Sequence, residues 1–143
     1  MKTKNAIAEI ITKGGFVYYN HILAGYLRPD ATLVIGELCG RFWFFYSKGN
    51  LRADNYFPMT QENISGNLGI SISKVRNAIE RLEAEGLIFT KRIGLPAKTY
   101  YCINLCLINA LVDNTFTPTP EQEKYLSQFA IYTDTRDAMG QNV

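Results

Sequence analysis

The chain has 143 residues, is 47% hydrophobic and 13% aromatic, and carries a net charge of +2. That composition suits one globular domain with extensions and excludes a disordered polymer. Its three cysteines, Cys39, Cys102 and Cys106, form no framework pattern, which fits a reduced, cytoplasmic protein.

Charge is uneven along the chain. Residues 1–55 carry +3, residues 56–105 carry +2 and residues 106–143 carry −3. A basic body with an acidic tail points to a polyanionic partner. No leader pattern opens the chain. The longest apolar run, Ala31 to Tyr46, is interrupted by Glu37 and Arg41, so it is not expected to span a membrane.

In residues 1–12, Ala6, Ile7, Ile10 and Ile11 recur as on a short amphipathic helix, which Gly14 and Gly15 end. FVYYN, residues 16–20, is rich in strand formers and is expected to be a short strand. A helix then follows, with Asp30 as N-cap and Gly49 as stop. Ile35, Leu38, Phe42 and Phe45 form its core stripe. Gly36 and Gly40, four apart, leave room for another backbone to approach. Trp43 and Phe44 fall off the core stripe, so that helix is expected to be covered on a second side, and both are candidate interface residues.

YFPMT is a short extended entry to a helix capped by Thr60 and ending near Leu68. Gly69 makes a turn. Ser71 caps a longer helix that ends at Glu85, with Gly86 just beyond. LIFTKR, IGLPA and KTYYCIN read as strand, loop and strand. LINALV is expected to be a short helix, TFTPTP a linker, EQEKYLSQFAIY a final helix and the last ten residues a mobile end.

Helix, helix, turn, helix, hairpin is the order of a winged helix-turn-helix, so the fold class is α+β. It carries an N-terminal helix and strand extension over 1–29, a DNA-binding domain over 30–112 and a C-terminal helical tail over 113–143. Ile64, Leu68, Val75, Ile79 and Leu82 would pack together, with Ile70 at the junction. On the opposite side of the second helix lie Ser73 and Asn77, flanked by Lys74 and Arg76. Asn can pair with adenine and Arg with guanine in the major groove, while Lys74 meets phosphate. Lys91, Arg92 and Lys98 bracket the hairpin loop and would strengthen binding in a salt-dependent way.

Tyr56 to Leu105 resembles the winged helix domains of phage and plasmid replication initiators and replisome organisers. The resemblance rests on FPMTQENISGNLGISISKVRNAIERLEAEGLI followed by KRIGLPAKTYYCIN. It implies a double-stranded DNA partner and a role in replication or transfer initiation, or in transcriptional regulation. Ile72 stands where these proteins often carry a polar or basic residue. Glu80 tilts toward the DNA face, where it would repel phosphate.

Cys102 and Cys106 lack a full set of zinc ligands and read as buried thiols. His21, the single histidine, has no nucleophile beside it. No phosphate loop or dinucleotide motif is present, and neither a cofactor nor enzyme activity is expected. A homodimer is expected, because one recognition helix covers little DNA. The alternative is a protein-interaction module working through Trp43 and Phe44.

Overall fold

The computed structural model describes residues 2–112 and Pro120, with side chains from Ala6 onward. The expected linker, final helix and mobile end lie outside the described residues.

The elements are α1 (Lys2–Ile11), α2 (His21–Ser47), β1 (Phe57–Pro58), α3 (Gln61–Leu68), α4 (Ile72–Ala84), β2 (Ile88–Ile93), β3 (Lys98–Ile103) and α5 (Leu105–Val112). α2 is the backbone of the body. It packs across α4 and α3 and also touches β1, β3 and α5. Val34, Ile35, Leu38 and Phe42 on α2 meet Ile64, Val75, Leu82, Phe57 and Tyr101 in one core. The anticipated stripe is therefore present, with Phe45 at its edge.

Two expectations for the N-terminal region are corrected. Residues 16–20 form no strand. They run as irregular chain against α2, and a Cβ at Gly36 would overlap the Tyr18 carbonyl. The expected close approach of another backbone thus occurs at Gly36, whereas Gly40 faces open space. A segment held by packing on a helix has no neighbouring strand to pair with, whatever its β propensity.

The long helix also starts earlier than Asp30. Asn20 caps it, its Oδ1 accepting from the Ile22 and Leu23 amides at 3.0 and 2.9 Å. Leu23 and Leu27 join the main core, so the chain from His21 onward belongs to the folded body. Arg28, at φ 71°, kinks the helix and Pro29 opens its second segment. Proline suits a first helical position because that N–H has no intrahelical partner. Asp30 lies inside the helical run and Asn20 is its N-cap, so Asp30 is not the cap; the Thr32 hydroxyl donates to the Arg28 carbonyl at 2.7 Å across the kink.

At its far end α2 stops as anticipated. Gly49 is left-handed, its N–H donates to the Tyr46 carbonyl, and Asn50 N–H reaches back to Phe45. This double bond pattern satisfies carbonyls that the helix end leaves free.

The sheet is antiparallel in the order β1-β3-β2. Phe57 pairs with Tyr101, and Ile88 with Ile103 down to Ile93 with Lys98. Pro58 lies in an edge strand, where its missing N–H is tolerated. Asn104 links sheet to helices. Its side chain donates to the Gly86 carbonyl at 2.9 Å and accepts from the Leu107 amide at 3.1 Å, capping α5.

Candidate nucleic-acid interface

α3, the turn and α4 are set by local chemistry. Thr60 Oγ1 accepts from the Asn63 amide at 3.1 Å and starts α3. Gly69 is left-handed, a conformation without steric cost for glycine. The Ser65 hydroxyl crosses the turn to the Ile70 carbonyl at 2.6 Å. Ser71 Oγ accepts from the Lys74 amide at 3.2 Å and starts α4. Gly86 and Leu87 close α4 by donating to Glu83 and Leu82.

α4 buries Val75, Ala78, Ile79 and Leu82. At 100° per residue this fixes what faces out. Ser73, Lys74, Arg76 and Asn77 are all exposed, together with Glu80. Among the described residues, the side chains of those first four make no hydrogen bond or ion pair. Two cations and two short hydrogen-bonding groups therefore stand unengaged on the first two turns of one helix. Ile72, 38% exposed, adds an apolar spot at its start.

The hairpin behaves differently. Side chains alternate across a strand, so Lys91 and Lys98 share one face and Arg92 lies on the other. Lys98 is exposed and has no ionic partner among the described residues. Arg92 donates to Thr99 Oγ1 at 3.2 Å and to the Ala97 carbonyl at 3.1 Å, which stiffens the loop base while leaving the residue exposed. Arg92 and Lys98 line a groove of about 500 Å³ with Thr60, Glu62 and Asn63 at the start of α3.

Lys91 is not the free cation the sequence suggests. Its Nζ lies 2.7 Å from Asp54 Oδ2 and 4.0 Å from the centre of the Tyr56 ring. Asp54 also accepts from Arg52 Nε and Nη2 at 3.1 and 3.2 Å and from the Tyr56 amide at 3.1 Å. The Arg52 hydrogen bonds, followed by those of Lys91 and the Tyr56 amide, hold the Asp54 carboxyl well below the usual carboxylate range. Arg52 in turn lies 5.1 Å from the Tyr100 ring centre. Sequence reading missed Arg52 and Asp54, since 37 positions separate Asp54 from Lys91 and no local pattern joins them.

Burial pushes the Cys102 thiol up to about 11, which suits an inert buried cysteine. Among the described residues no group of three His, Cys, Asp or Glu side chains could hold a metal ion, and no helix is long and apolar enough to cross a membrane.

A three-stranded antiparallel sheet whose hairpin directly follows a capped helix-turn-helix decides the architecture. This is a winged helix-turn-helix. A family described as winged helix-turn-helix DNA-binding matches residues 58–88, which run from the end of β1 through α3 and α4 to the first residue of β2. A solved structure described as the N-terminal domain of a DNA binding protein is similar with a TM-score of 0.53. It is 18% identical, and the match covers 82% of this chain and 86% of that one. No curated protein matches. Trp43 and Phe44 stand on the exposed side of α2, 50% and 43% exposed, beside a groove that Asn67 of α3 also lines.

Proposed function

We propose that the chain binds double-stranded DNA, with α4 in the major groove and the wing on the sugar–phosphate backbone. The observation that carries this reading is the unpartnered set Ser73, Lys74, Arg76 and Asn77 on the outward face of α4. Here α4 is held from behind by four buried residues and presents them together. Arg76 and Asn77 are the base-reading candidates, and Lys74 is the phosphate contact. Arg92 and Lys98 add backbone contacts beside the start of α3. The matched family description supports the reading. The biological setting we favour is replication or transfer initiation, or transcriptional regulation, in a mobile genetic element or its bacterial host.

The test is binding to mixed-sequence duplex DNA across a salt series. Affinity that falls linearly on a log–log scale, with a slope near −0.9 per phosphate contact, supports it. No binding at low salt would sink it. The second reading, a protein-docking role for α2, is favoured by the exposure of Trp43 and Phe44.

A further inference from the structure

From β1 onward, only two large hydrophobic side chains are exposed among the described residues: Leu95 in the wing loop and Ile72 at the first position of α4. Ile72 is 38% exposed and belongs neither to the core nor to the partly buried residues packed against it. The packing roles around it are already filled. Ile70, just before the Ser71 cap, packs on the core, and Val75, one turn into the helix, is fully buried. Apolar residues at those two positions staple a helix start, and the first helical residue has no part in that contact. Helix formation does not call for isoleucine there either, since a β-branched side chain is a middling helix former.

Position decides what Ile72 can do. It stands four residues before Arg76, so the two side chains are neighbours on the helix surface, with Cβ atoms about 5–6 Å apart. Arg76 is exposed and belongs to the unpartnered set on α4. Ile72 therefore extends that set toward the helix start, the part of a recognition helix that meets base edges. In the major groove thymine is distinguished by its C5-methyl group, which apolar side chains contact.

We propose that Ile72 is a base-reading residue: its side chain packs on the C5-methyl group of a thymine one or two base pairs from the guanine that Arg76 reads. The offset follows from the Cβ separation of about 5–6 Å set against about 3.4 Å of rise per base pair. The inference rests on the DNA-binding reading and deepens it. Isoleucine suits the task because one χ1 rotamer dominates in a helix, so little freedom is lost on contact. An uncharged side chain meets no phosphate, so it selects sequence without changing the salt dependence.

The experiment uses the full chain and the duplex that it enriches from a random pool. Thymines are replaced one at a time by deoxyuridine, which lacks the methyl group and keeps the base pair. At one position, one or two base pairs from a guanine, uracil should weaken wild-type binding about fourfold, the effect of burying one methyl group. Ile72→Ser should bind the thymine duplex at least about fourfold more weakly, ignore uracil at that position and keep the wild-type salt slope. Ile72→Val, which retains two methyl groups and perturbs α4 least, should keep most of the discrimination. Wild-type binding that no uracil weakens would overturn the proposal. So would Ile72→Ser that still distinguishes thymine from uracil, or an enriched duplex with no thymine at that spacing. Each of these leaves the DNA-binding reading standing. No binding to any duplex at low salt would overturn both.

Discussion

The Tyr18 carbonyl lies so close to Gly36 that no side chain fits between them. This contact ties the irregular N-terminal segment to the middle of α2. Gly36→Ala should therefore either expel residues 16–18 or strain α2, at a cost of about 1–3 kcal/mol. Gly25→Ala, which adds a methyl group into open space on the same helix, should be neutral or stabilise by up to about 1 kcal/mol. Chemical denaturation of both variants, with limited proteolysis after residue 13, checks the contrast.

Tyr101 is wholly buried, yet its hydroxyl has no hydrogen-bond partner among the described residues. Tyr101→Phe removes a buried, unsatisfied polar atom, so stability at neutral pH should hold or rise, by up to about 1–3 kcal/mol. Alkaline behaviour gives a second readout. Burial, reinforced by Glu83 and Glu62, pushes the Tyr101 hydroxyl up to about 12. A raised folded value means that this group's stabilisation is present below pH 10 and is lost as pH rises from about 10 to 12. Wild type should lose about 2–3 kcal/mol in that window on this account, and Tyr101→Phe should lose less. Unfolding curves at pH 9 and above decide it.

Asp54 holds Arg52 and Lys91 together on the outer face of the wing. Asp54→Asn releases both cations to solvent. On the DNA-binding reading, the salt dependence should steepen by about 0.9 per cation that reaches a phosphate, and affinity for mixed-sequence DNA should rise. Fluorescence anisotropy at several salt concentrations tests this, and an unchanged slope would count against it. A depressed carboxyl also contributes stability above the ordinary carboxylate range and loses it as pH falls. The side chain is about one-third exposed, which limits the loss on acidification to under about 1 kcal/mol.

α4 and the wing should respond differently to truncation. Asn77→Ala should cost about 1–3 kcal/mol at a preferred site and relax the choice of base there. Arg92→Ala should weaken all duplexes alike and lower the salt slope by about one. Selection from random duplexes, followed by titration of the enriched and scrambled sequences, distinguishes the two patterns.

The sequence by itself determined the segment from Thr60 to Ile103. Thr60, Gly69, Ser71 and Gly86 act on backbone groups within a few residues, so their effects survive any choice of tertiary partner. The stripe through Val75, Ile79 and Leu82 then dictates that Ser73, Lys74, Arg76 and Asn77 face outward. The helix of residues 21–27 was not read from the sequence, which placed the start at Asp30, although Asn20 followed by Leu23 and Leu27 carries a local signal for it. Other features were decided only by folding. Residues 16–20 have strand-forming side chains and no strand, because the docking surface at Gly36 lies on a different element. Lys91 belongs to a basic run, yet a carboxylate 37 positions away claims its charge. Both outcomes depend on which distant groups share a neighbourhood, and no local periodicity encodes that.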